Sequence, residues 1–153
     1  MTELERRDIA AALKLAGLEW QVEIKTLQWA GLCMPGANTG LHTVPDAKGI
    51  IRTDTHAYLG TVGTQYTVIQ NQEAAATVDA LVQQHGCTIE VAASLDGGKR
   101  AFMLLRMPDA TLTPAPGDDV RGYLLVSWSH DGSGAVRVVL TPIRVVCQNT
   151  LSA

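Results

Sequence analysis

RGYLLVSWSHDGSGAVRVVLTPIRVVCQNT, residues 121–150, is the longest run of strand-forming residues in the chain. Val, Leu, Ile, Tyr and Trp dominate it, as expected of a pleated, half-buried surface. Asp131-Gly132-Ser133-Gly134 breaks the run once with turn chemistry, so the stretch predicts a hairpin. Two further hairpins precede it. Thr88 to Leu95 and Arg100 to Met107 flank Asp96-Gly97-Gly98-Lys99, and Ile50 to Thr53 and Tyr58 to Val62 flank Asp54-Thr55-His56. Residues 108–119, PDATLTPAPGDD, predict a Pro-rich acidic connection.

Two helices complete the pattern. In residues 2–17, Ile9, Ala12, Leu13 and Ala16 recur at helical spacing, with Gly17 as the stop. Thr2 and Glu5 fit a capping box, although Asp8 is an equally good start. The second helix follows a short extended piece, Tyr66 to Ile69. It takes Asn71 as N-cap, Ala74, Val78, Leu81 and Val82 as its buried stripe, and Gly86 as its end. Trp20 to Trp29 reads as a strand by alternation, and the Gly- and Pro-rich residues 30–49 as a long irregular loop. The expected fold is α+β. A twisted, mainly antiparallel sheet is built from hairpins, with two helices packed on one face, in a single domain of residues 1–153.

Composition narrows the function classes. The net charge of -3 gives no basic excess of the kind a dedicated duplex-DNA binder carries. Three cysteines, Cys33, Cys87 and Cys147, form no CxxC pair, so a disulfide framework or zinc site is not expected. No apolar run is long enough for a membrane span, and no signal-peptide pattern follows Met1. The expectation is a cytoplasmic protein without metal or cofactor.

No catalytic constellation survives strand geometry. Ser129, His130 and Asp131 are adjacent, but neighbouring strand residues point to opposite faces, so serine and histidine do not converge. Gly132-Ser133-Gly134 has no following helix to make a nucleophile elbow. The four histidines lack ligand spacing, and Cys147 in IRVVCQNT reads as a small buried hydrophobe rather than a nucleophile. Binding signals are stronger. Arg100, Arg106, Arg121, Arg137 and Arg144 sit on or beside expected strands, while the acids of this half gather in 109–119 and the turns. With Trp128 to stack on bases and Gln148 and Asn149 beside them, such a sheet could track a single-stranded phosphate backbone. The bland alternative is that these arginines pair with loop carboxylates or snorkel over the sheet edge.

Four motifs carry a resemblance. Ala16 to Trp20 matches an AGLDW-like start. Val62, Gly63, Tyr66, Gln70, Asn71 and Glu73 match V-G-x-x-Y-x-x-x-Q-N-x-E. Ser94 to Arg100 matches a G-S-L-x-G-G-x-R hairpin, with Ala93 in place of the first glycine. Ser129, His130, Asp131, Gly132, Cys147 and Thr150 fall in an S-H-D-G-S…T-P-x-R-V-V-C-x-N-T-L block. On these residues the chain resembles the phage/plasmid-like family of unknown function (domain of unknown function 932). Members continue into a further, largely helical half, so the chain is expected to correspond to the first half only. The phage and plasmid setting implies a recombination or DNA-maintenance role. The expectation is a non-enzymatic, mobile-element-type protein that binds single-stranded nucleic acid, as in strand annealing. It would act as a homo-oligomer formed through a sheet edge. The alternative is a protein-interaction, phage-assembly or anti-defence module without nucleic-acid binding, engaging its partner by strand addition.

Overall fold

The computed structural model describes residues 8–31, 40–115 and 118–142, without the side chains of 109–121. Among the described residues two α-helices and seven strands run in the order α1 (Ile9–Leu15), β1 (Val22–Ala30), β2 (Leu41–Arg52), β3 (Tyr58–Gly63), α2 (Asn71–His85), β4 (Thr88–Leu95), β5 (Arg100–Ala115), β6 (Asp118–Ser129) and β7 (Arg137–Thr141). All pairings are antiparallel. The α+β expectation holds, but the strands divide into two sheets, β1-β2-β3 and β4-β5-β6-β7.

Both helices and both sheets feed one apolar cluster. Ala12 and Leu13 of α1 and Ala74, Ala75, Val78 and Val82 of α2 meet Val22, Ile50, Leu59 and Val62 of the first sheet. They also meet Ile89, Ala101, Met103, Leu105, Val126 and Trp128 of the second. Cys87 is buried in the same cluster as a free thiol whose pKa burial raises, in keeping with a structural role. Cys33 lies outside the described residues.

Local sequence explains the ends of the elements. Asp8 caps α1 by accepting from the backbone N–H groups of Ala10 and Ala11; the alternative start at Thr2 lies outside the described residues. Gly86 ends α2 in the left-handed conformation that glycine adopts without steric cost. The turns at 54–56 and 96–99 fall where the sequence puts them.

Three expectations are corrected. Residues 41–49 are strand rather than loop, because β2 pairs with both β1 and β3. Its register against β1 jumps between Thr26↔Lys48 and Gln28↔Thr43, and this irregularity accommodates Pro45, which has no N–H to donate. Residues 108–115 and 118–119 are not a connection but the extension of β5 and β6, still paired at Thr111↔Arg121, Leu112↔Val120 and Ala115↔Asp118. Asn71 is not the N-cap of α2. Gln70 takes that place, its N–H donating to the Glu73 carboxylate at 2.8 Å. The Asn71 side chain is committed elsewhere.

Candidate functional site

The first turn of α2 holds the two sheets together. Gln70 brackets Val22 of β1: its side-chain oxygen accepts from the Val22 N–H at 3.0 Å, and its amide donates to the Val22 carbonyl at 2.9 Å. Asn71, 1% exposed, donates through Nδ2 to the Trp20 carbonyl at 3.1 Å. Its Oδ1 accepts from Trp128 Nε1 at 2.9 Å and meets His130 Nε2 at 2.8 Å. Because Nδ2 donates to a carbonyl, Oδ1 is an acceptor, so His130 carries its proton on Nε2.

His130 is 1% exposed. Burial pushes its pKa down to about 4; nearby Asp131 opposes this and Arg52 adds to it. The ring is therefore neutral at pH 7. Trp20 meets it edge to face, with ring centroids 5.1 Å apart, and the Arg52 guanidinium lies 4.2 Å from the Trp20 ring centroid. Arg52 also donates to the Gly97 carbonyl and pairs with Asp54, linking the β2 end to the β4–β5 turn. Among the described residues, His130 Nδ1 and Trp20 Nε1 have no hydrogen-bond partner.

The loop after β6 packs directly on β3. A Cβ at Gly60 would lie 2.6 Å from the Asp131 carbonyl oxygen, and one at Gly132 would lie 2.7 Å from Val62 Cγ1. Ser129 closes this loop on itself, its hydroxyl donating to the Gly134 carbonyl at 2.8 Å and accepting from the Gly134 N–H at 2.9 Å. Burial works to raise the Asp131 pKa, but hydrogen bonding, chiefly from Ser133, outweighs it and holds the carboxyl low. Tyr66 is half-buried; burial, and then Asp131, raise its hydroxyl pKa. Thus Tyr66, Gln70, Asn71, Ser129, His130, Asp131 and Gly132 converge on the joint between the sheets. The Ser129 hydroxyl and the His130 ring engage different partners, as strand alternation implies. Cys147 and Thr150 lie outside the described residues.

The nucleic-acid set does not stay together. Trp128 is 2% exposed with its indole N–H bonded to Asn71, so it offers no face on which a base could stack. Its alternation with Val126 puts it on the core side. Arg100 and Arg137 share the opposite face: Arg100 pairs in register with Ser129, and Arg137 with Ser127. Arg100 is held by Asp96 of the β4–β5 turn, the alternative that the sequence leaves open, and Arg106 by Glu90 of β4. Between them Phe102, Leu104, Tyr123 and Leu125 form a second buried cluster on that face. Arg144, Gln148 and Asn149 lie outside the described residues, and the Arg121 side chain is not described.

Sequence reasoning missed Arg52 and Gly60. Arg52 and Gly60 carry no local signal, since both act on residues distant in the chain. Strand β7, the last of the second sheet among the described residues, leaves Val138, Val139 and Leu140 46%, 47% and 51% exposed. Among the described residues, no group of three or more His, Cys, Asp or Glu could hold a metal ion, and no helix is long and apolar enough to cross a membrane.

The sequence model of the family described as Domain of unknown function (DUF932) matches residues 58–153, more than half of the chain. The chain belongs to this family. No curated protein and no solved structure matches it. The DUF932 stretch contains α2, the second sheet and the loop after β6, whereas Trp20, Val22 and Arg52 precede it. The joint is therefore built half from the family segment and half from the chain before it.

Proposed function

We propose that this DUF932 protein is a non-enzymatic interaction module that takes up an extended strand of another polypeptide along the edge of β7. The observation that carries the reading is the exposure of Val138, Val139 and Leu140 on β7, the edge strand of the second sheet among the described residues. Edge strands present backbone donors and acceptors, and proteins ordinarily blunt them with charges, proline or bulges. Here Arg137 is the only charge on the strand, and its pairing with β6 runs without a register shift. Apolar side chains on both faces would add specificity to the main-chain hydrogen bonds of strand addition. The phage and plasmid setting implied by the sequence resemblance is in keeping with such an assembly role. A photo-crosslinking residue in place of Val139, introduced in the cell of origin, is expected to give an adduct with a second polypeptide. The same residue in place of Leu15, exposed on α1, serves as control. No adduct at position 139 overturns the reading.

A second reading, binding of single-stranded nucleic acid, is favoured by the common face of Arg100 and Arg137. It predicts that oligonucleotide affinity falls steeply with salt and that Arg100→Ala with Arg137→Ala lowers the salt slope by about 2. Absent or salt-independent binding by the unaltered protein removes it.

A further inference from the structure

We infer that the strand taken up by β7 is β7 of a second copy, antiparallel, on a two-fold axis through Val139. This rests on the edge-strand reading above and names its partner. The strand Arg137-Val138-Val139-Leu140-Thr141 is complementary to itself. In an antiparallel pair centred on Val139, that residue faces its own copy and Val138 faces Leu140. Arg137 falls opposite Thr141, so the one charge of the strand never meets its like. Moving the centre by one residue to Val138 would set Arg137 against Val139 and leave Thr141 beyond the pairing; centring on Arg137 would set the two guanidiniums against each other. Like charges directly opposite are destabilising, whereas β-branched and apolar pairs stabilise. The register that matches apolar to apolar also keeps the charges apart.

The same axis extends both faces of the sheet. By register, Val139 continues the row of Leu125 and Leu104, and Val138 and Leu140 continue that of Val126 and Leu124. Pairing two copies makes one continuous eight-stranded antiparallel sheet from two four-stranded ones, and such a contact is isologous, as two-fold dimers are. A five-residue edge is a small interface, so the dimer is expected to dissociate in the micromolar range.

The test uses the whole chain and charge exchange at the axis. Light scattering after size exclusion, over a concentration series, is expected to move from one chain to two. Val139→Lys and Val139→Glu each place like charges face to face and are expected to stay monomeric, while their equimolar mixture recovers the dimer. Circular dichroism of each variant establishes that it is folded, as the 47% exposure of Val139 leads one to expect. A monomeric unaltered protein at every concentration overturns the inference, as does an oligomer indifferent to both substitutions. So does a mixture of the two folded variants that fails to associate. If the crosslink at position 139 captures a different polypeptide while the protein stays monomeric, the self-pairing falls and the edge-strand reading stands.

Discussion

Asn71 is the residue on which most depends. Its amide satisfies a carbonyl before β1, an indole on β6 and an imidazole beyond it. Removing it leaves three buried polar groups without that partner, and each such loss costs roughly 1–3 kcal/mol. Asn71→Ala is therefore expected to lower stability by about 3 kcal/mol or more, read as the shift of a urea midpoint. Asn71→Asp is no remedy, since it buries a charge in place of an amide. His130 makes the same site pH-sensitive. Its folded pKa of about 4 lies below the ordinary 6.5, so between these values the unfolded chain takes up a proton that the folded one refuses. The contribution of neutral His130 is full above pH 6.5 and shrinks as pH falls toward 4. With 1.36 kcal/mol per pKa unit, the loss is about 3 kcal/mol. Urea midpoints at pH 7 and pH 5 should differ in that direction; equal midpoints would show that the imidazole is not held neutral. In the sequence, Asn71 reads as an N-cap because caps are local and its true partners lie 51, 57 and 59 residues away.

At the scale of elements, legibility followed the range of the forces involved. The hairpin turn at 96–99 and the stop at Gly86 were readable because their chemistry is local. β2 was not: Gly40, Pro45 and Gly49 read as a loop, while pairing on both sides holds the segment extended. Alternation shows that Trp128 shares a face with Val126, but not which face the helices cover. That depends on the loop after β6 docking on β3, where Gly60 has no local signature of its own. Gly60→Ala would drive a Cβ into the Asp131 backbone, where no flexible side chain can yield. A cost of about 2 kcal/mol is expected, as for overpacking generally, measured by thermal or urea unfolding. Gly63→Ala, on the same strand with nothing near its Cβ, is the control and should cost much less.

For the whole molecule, the joint between the sheets governs more than its own stability. β1-β2-β3 and β4-β5-β6-β7 each assemble mainly from neighbouring strands, whereas Gln70 and Asn71 reach across 48 to 59 residues. Short-range pairings close at lower entropic cost than long ones. The order of events expected from this is hairpins first, then the first turn of α2 fastening one sheet to the other. An interaction that forms after the rate-limiting step leaves the folding rate almost untouched and acts on the rate of escape. Asn71→Ala should thus appear in stopped-flow chevrons as a steeper loss of the native state by accelerated unfolding, with refolding nearly unchanged. Slowed refolding would mean that the fastening comes early. In this sense the Gln-Asn pair at the head of α2 is a latch: it sets how long the two sheets stay together once they have met.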